Sequence, residues 1–484
     1  MRVLWIGSWL VLACAHPPRA PEVSGWRELR SAHFRLQTDL SLTDARTTLD
    51  RLETLRAALE TAWAGGGDTP GSTRAIVLHD PAELRTFTDL RGAAGTSRSG
   101  PLLVTAGVEV PLGDASPDLA VLAHEVAHDL NRRRMPGAPR WFDEGLAEYL
   151  ESAELLDPER VRFGRTSTEV LEAARGGPPI PIPRLEGPGW ESETPDQARA
   201  AYRSARLWIH ALRASEPERM RSLESALASG TPWRAAWGEV ERSVDLPGLE
   251  EDLRRWVQVG VLPTELHRFE RRTTRPDERP LPEWEVHLAL AELWALGPGA
   301  DRAARSRAEI EAAARAAPDE AGPQVLLADL ETDPDRKREL AEALARRHPR
   351  SPEAAVLLAR VLRDQGGPVE GRRAAIDAAL ALAPDDVDAL TAHALESARN
   401  SEFAGALRSA RRAVALAPWN PTVFTTLALV LSRVGSCSEA VAAAQHAVDV
   451  LPDHPDPRDV AALDRERDRI ARSCSSLPGG NPVR

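Results

Sequence analysis

Two histidines, His124 and His128, stand four residues apart with Glu125 between them, in the run His124-Glu125-Val126-Ala127-His128. In a helix, residues i and i+4 project from one face about one turn apart, so two imidazoles can reach one tetrahedral zinc ion. Glu125 then falls on the adjoining face. There its carboxylate can take a proton from a water at the open metal position, whose pKa zinc lowers toward ~7. The chemistry this spacing suits is hydrolysis by metal-activated water. Two ligands do not complete a zinc site, so a third must come from another part of the chain. The plainer alternative makes both histidines satisfied core residues.

The elements that must position these side chains can be read around them. Ser116-Pro117-Asp118 offers a cap, a proline for the first turn and an acid near the positive helix end, so a helix begins just before the motif. Between Asn131 and Pro139 the helix is broken by Pro136, Gly137 and Pro139, and a second helix carries Trp141-Phe142-Asp143-Glu144-Gly145-Leu146-Ala147-Glu148-Tyr149. This segment resembles the Glu-Gly-x-Ala-x-Tyr helix of the gluzincin metallopeptidases, and the span from about His33 to Trp256 is similar to their peptidase MA-like relatives. The resemblance implies a zinc metallopeptidase with Zn2+ as cofactor, Glu144 as third ligand beside His124 and His128, and a peptide or protein substrate. Glu148, one turn further along the same face, is then the candidate to hydrogen-bond a ligand histidine and fix its tautomer. Fifteen residues separate His128 from Glu144, fewer than in the aminopeptidase branch, so the resemblance stops short of an aminopeptidase.

Downstream, Ala201 to His210 reads as an amphipathic helix carrying Tyr202, one of only two tyrosines in the chain. Related peptidases place an aromatic on a helix in this position. Tyr202 is therefore the candidate to donate a hydrogen bond to the developing oxyanion, with His210 as the second choice. The proline-rich stretch from Gly176 to Gly189 reads as an extended loop bordering the cleft.

Around this core, Trp26 to Val110 mixes strand and helix periodicity. His33 to Thr38 alternates apolar and polar residues, Leu49, Leu52, Leu55 and Leu59 repeat at helical spacing, and Ala75 to Leu78 and Leu102 to Thr105 are further strands. A Gly/Ser-rich loop is expected from Arg91 to Gly100, an edge strand open to an extended peptide from Leu102 to Val110, and a plain connection at Gly65-Gly66-Gly67.

After Pro282 the composition turns helical. Ala379, Ala413 and Ala447 recur 34 residues apart, as do Pro384, Pro418 and Pro452. The period, the small residues and the terminating prolines resemble tetratricopeptide repeats from about Glu283 to Pro455, capped by a helix from Asp456 to Cys474. Such repeats leave a concave surface that usually takes a protein partner. The expected fold class is thus an α+β zincin-like peptidase domain at 26–270 followed by an all-α tetratricopeptide-like repeat domain at 283–475, with the peptidase part folding without the repeats, and a disordered tail at 476–484. A non-catalytic envelope scaffold that binds partners through the repeats is the alternative.

The chain has 484 residues and a net charge of -12, with Arg132-Arg133-Arg134 as its only compact basic run. Polyanion binding needs clustered positive charge, so nucleic acid is not an expected partner. Met1-Arg2 precedes a short apolar run that ends in Val11-Leu12-Ala13-Cys14. This resembles a lipoprotein signal peptide (1–14, with a linker at 15–25) whose Cys14 is lipidated. The expected location is the cell envelope, at the outer membrane, with the lipid as the only membrane contact. Export would permit a disulfide, and Cys437 and Cys474 are the only cysteines left for one, with two free buried thiols as the alternative.

Overall fold

The computed structural model describes residues 25–87, 92–97, 100–106, 117–136, 138–186, 194–272, 274–296, 300–451 and 457–475. The signal peptide with Cys14, nearly all of the linker, the Ser116 cap and the tail at 476–484 lie outside the described residues.

Alternation in the first hundred residues becomes a six-stranded sheet. Strand β1 (Arg27–Arg30) pairs antiparallel with β2 (Phe34–Thr38), which runs parallel to β3 (Thr73–Leu78). Strand β4 (Gly92–Ser97) pairs antiparallel with β5 (Gly100–Ala106), and β5 runs parallel to β3. Because β5 is flanked by β3 and β4, the expected edge strand from Leu102 is an inner strand. The edge is β4, inside the segment expected to be a loop. Glycines and a serine concealed it, since they carry little strand propensity of their own.

Side chains of β3 are buried on both faces, which explains its unbroken apolar run. Ala75 and Val77 join a large core with α1 (Leu42–Glu60), whose start is capped by the Ser41 hydroxyl accepting from the Asp44 amide. Leu49, Leu52, Leu55 and Leu59 supply the apolar stripe of α1. Two further helices, α3 (Pro117–Arg134) and α4 (Arg140–Leu150), complete this side together with α7 (Pro195–Ser215). The opposite face holds Ile76, Leu78, Leu102 and Val104, beside Leu84 and Phe87 of α2 (Pro81–Phe87).

A smaller antiparallel sheet joins β6 (Glu154–Asp157), β7 (Arg160–Phe163) and β8 (Glu265–Arg268). Helices α8 (Pro217–Ala228) and α10 (Leu246–Val259) pack on α7, with α9 (Trp233–Glu241) against α8 and α5 (Thr168–Arg175) against α10. The proline-rich stretch forms a short helix, α6 (Ile182–Leu185), with Ile182 and Leu185 buried in the core and the Trp208 indole donating to the Ile180 carbonyl at 2.8 Å. That described part is anchored, unlike the extended loop expected there; residues 187–189 lie outside the described residues.

Strand β9 (Asp277–Pro280) returns to pair with β1, and α11 (Glu283–Ala295) then lies on the open sheet face. Val286, Leu290, Leu293 and Trp294 pack there against Ile76, Leu78, Leu102, Val104 and Trp26. The chain boundary near residue 282 is therefore crossed by a shared core.

Helices then proceed in pairs: α11 with α12 (Ala300–Ala316), α13 (Ala321–Asp329) with α14 (Pro334–Arg347), α15 (Pro352–Asp364) with α16 (Val369–Leu382), α17 (Val387–Arg399) with α18 (Phe403–Leu416), and α19 (Pro421–Val434) with α20 (Cys437–Asp449). A final helix, α21 (Pro457–Ser475), closes the array. Ala379, Ala413 and Ala447 sit at equivalent buried places in α16, α18 and α20, where a larger side chain would hold the helices apart. This is a tetratricopeptide-like helical repeat. A disulfide joins Cys437 of α20 to Cys474 of α21.

Candidate metal centre

On α3 the four-residue spacing does what helical geometry requires. The imidazoles of His124 and His128 meet edge to face, 4.7 Å between ring centres, with their Nε2 atoms 3.1 Å apart. Helix α4 brings Glu144 to the same point: its Oε2 lies 3.4 Å from Nε2 of His128 and 3.8 Å from Nε2 of His124. A tetrahedral zinc with bonds of ~2.0–2.1 Å requires donor-to-donor edges of ~3.4 Å. The three distances bracket that value, so the donor set fits the ion.

The charge around these donors points the same way. Burial pulls the His124 pKa down, but the Glu151 carboxylate and the charges of Glu125 and Glu144 outweigh it and lift the group to about 9. His128 is likewise raised well above an ordinary histidine, the carboxylates of Asp143 and Glu144 overcoming its burial. Two histidines that would both hold a proton despite burial mark a pocket that attracts positive charge.

The close approach of α4 to α7 explains the glycine after Glu144. A Cβ at Gly145 would lie 2.8 Å from the Ala205 carbonyl oxygen and 2.8 Å from Cγ1 of Ile209. Only glycine lets the helix axes come this near, and that approach sets where Glu144 points.

Behind the donors the structure departs from the sequence reading. Nδ1 of His128 lies 3.0 Å from Oδ2 of Asp143, although off the line of an ideal hydrogen bond. Asp143 is held in turn by the Asn131 amide at 2.7 Å. Nδ1 of His124 lies 3.6 Å from Oε2 of Glu151, which Arg206 anchors at 2.8 Å. Glu148 belongs to the same cluster and is raised by burial and by Glu151, yet Glu151 is the carboxylate in ion-pair contact with His124. One helix and its C-terminal cap thus place a candidate metal donor at position 144 and a carboxylate beside each histidine, at positions 143 and 151. Asp143 precedes the ligand directly, and the pairing of His128 with Asn131 three residues later was the available signal for it.

Glu125 is half-buried and makes no hydrogen bond or ion pair among the described residues. Tyr202 is half-buried on α7 and its hydroxyl accepts from Arg140 at 3.4 Å, while Nε of Arg140 lies 3.8 Å from Oε1 of Glu144. Arg140, buried at the first turn of α4, was not singled out by the sequence. His210 serves the fold instead. Its Nε2 donates to the Pro263 carbonyl at 2.8 Å, its ring packs on Tyr149, and burial lowers its pKa to about 4.

No family model matches the chain, and no curated protein is similar enough in sequence to align with it. Among solved structures, it is similar to TTC0263, a thermophilic TPR protein in Thermus thermophilus, at 20% identity and a TM-score of 0.30, covering 39% of this chain and 98% of that one. YrrB, a TPR protein with an unusual peptide-binding site, matches at 14% identity and a TM-score of 0.25, covering 37% and 91%. The APC/C hetero-tetramer Cut9-Hcn1 matches at 11% identity and a TM-score of 0.31, covering 73% and 56%. At these scores the likenesses carry no argument about activity, and any functional reading must rest on the chain's own geometry.

Proposed function

We propose that the chain is a zinc metallopeptidase of gluzincin type acting in the cell envelope, anchored by lipid at Cys14 and carrying a repeat domain for partners. The observation that carries this reading is the convergence of His124, His128 and Glu144 at distances suited to one tetrahedral ion. Zinc in such a site activates water for attack on a peptide carbonyl. Glu125, on the neighbouring face of α3, would accept the proton of the attacking water and pass it to the leaving amine. Asp143 and Glu151 hold the two imidazoles in the tautomer that leaves Nε2 free for the ion. Tyr202 and Arg140 supply donors beside the ligand set for charge developing on the carbonyl oxygen. The free edge of β4, whose inner neighbour β5 packs near α3, offers backbone groups to an extended substrate.

The deciding experiment combines metal analysis with peptide cleavage. Glu125→Gln should retain stoichiometric zinc and lose hydrolysis, whereas His124→Ala or Glu144→Ala should lose both. Wild-type protein that lacks zinc, or that binds it and cleaves no member of a diverse peptide library, refutes the reading.

A second reading has its own support in the paired helices from α11 to α21. Tetratricopeptide-like repeats suggest protein–protein interaction. If the metal experiment fails, the chain is best understood as an envelope scaffold whose metal-site residues are vestigial.

A further inference from the structure

Away from the metal cluster, the last repeats carry a row of side chains that helix packing does not require. Leu395 and Arg399 on α17 recur 34 residues later as Leu429 and Arg433 on α19, and α21 continues the row with Arg469 and Ser473. All six line one groove of about 350 Å³ formed where α17, α19 and α21 lie side by side. The three arginines are exposed and the two leucines half-buried, so the groove has an apolar floor beneath a line of cations.

That charge is only partly neutralised within the chain. Glu396 lies 3.8 Å from Arg399, but it is already held by Arg372 through hydrogen bonds of 3.0 and 2.8 Å. Glu466 pairs with Arg469 at 2.8 Å. Arg433, in the middle, has no acidic partner among the described residues. A chain of net charge -12 that gathers exposed arginines over leucines has built the complement of an acid.

We propose that this groove binds an extended acidic segment of a partner protein, with an apolar side chain on Leu395 and Leu429 and carboxylates on the arginines. Packed helices lie ~8–10 Å apart, and a peptide in the polyproline II form rises ~3.1 Å per residue with three residues per turn, so acids three positions apart share one face and meet successive arginines. Guanidinium groups suit this task because their planar donors grip carboxylates in pairs. The disulfide between Cys437 and Cys474 ties α21 to α20 next to Ser473, fixing one wall of the groove. The inference rests on the repeats being a protein-binding surface and is independent of the metal site.

The test uses the full chain and fluorescein-labelled nonapeptides carrying leucine between acids three positions apart, with the same peptides in Asn/Gln form as controls. Anisotropy should show salt-sensitive binding of the acidic set and at least about tenfold weaker binding of the amide set. Arg433→Glu, at an exposed position, should abolish acidic-peptide binding, while Arg433→Lys keeps part of it. An unchanged circular dichroism spectrum and zinc content in Arg433→Glu separate this result from a folding or metal defect. The proposal is overturned if no acidic peptide binds better than its amide form, if Arg433→Glu binds as the wild type does, or if single-stranded DNA competes as well as the peptides.

Discussion

Gly145→Ala adds one methyl group beside Glu144, the proposed third ligand, and the structure sets what it must cost. The new Cβ would sit 2.8 Å from the Ala205 carbonyl oxygen, against ordinary contact from 3.4 Å, so α4 and α7 must part by about 0.6 Å (3.4 minus 2.8). Neither helix can yield by turning a side chain, because the obstructing atom is backbone. Overpacking of this kind costs ~1–3 kcal/mol and alanine returns ~1 kcal/mol over glycine through helix propensity, which leaves a net loss of up to ~2 kcal/mol. In a unit of roughly 250 residues that corresponds to a melting temperature lower by up to ~8 °C. The metal site should suffer further, since donor distances tolerate only ~0.2 Å of error and Glu144 adjoins the displaced residue. Thermal melts with and without zinc, and zinc affinity by chelator competition, measure both effects. Gly238→Ala on α9 is the control: its Cβ would meet only the Arg242 guanidinium, at 3.8 Å, so it should be neutral or stabilising by up to ~1 kcal/mol. A Gly145→Ala protein that melts and binds zinc as the wild type does refutes the claim that this helix approach positions Glu144.

Other expectations rest on the same contacts. Asp143→Asn and Glu151→Gln should each weaken zinc affinity by ~10–100-fold with the fold intact, read by competition with a chromophoric chelator, whereas Glu148→Gln should do less. Ending the chain at Pro282 should give aggregating protein, because Ile76, Leu78, Leu102 and Val104 lose their cover, while ending it after Ala316 should keep it soluble; size-exclusion chromatography of both decides. Replacing Cys437 and Cys474 with serine should lower repeat stability by up to ~4 kcal/mol, from the loop-entropy model for a separation of 37 residues, as measured by urea unfolding.

The core shared across residue 282 marks where the sequence stopped being informative. A 34-residue recurrence located helix pairs within a few residues, since alanine at a close helix contact and proline after a helix end are local demands. It could not reveal that α11, the first helix of the series, spends its apolar face on the sheet. Val286, Leu290 and Leu293 look the same in sequence whether they cover a neighbouring helix or a strand. The independence expected of the two parts turns on that ambiguity, and the core shared by α11 and the sheet counts against it. Strand β4 was missed for the converse reason: its pairing to β5 is made by backbone, which leaves no mark in glycine and alanine side chains.

The candidate site was legible where spacing along one helix fixes geometry and illegible where a second helix sets the distance. His124 and His128 must share a face because the helix repeat puts them there, and Glu144 could be reached only through the motif around it. The backing residues show the limit more sharply. By helical position Glu148 lies one turn from Glu144, but whether it or Glu151 meets His124 depends on the crossing of α3 with α4, which no local pattern encodes. Arg206 on α7 settles the choice by anchoring Glu151 at 2.8 Å, whereas it stands 3.9 Å from Glu148. A charge on a third helix therefore selects which carboxylate supports the ligand, and Arg206→Met should release that choice, weakening zinc binding in wild-type protein but adding little to the defect of Glu151→Gln. Additive losses in the double variant would mean that Arg206 and Glu151 act on the site separately, and the chain of support from α7 to His124 would be wrong.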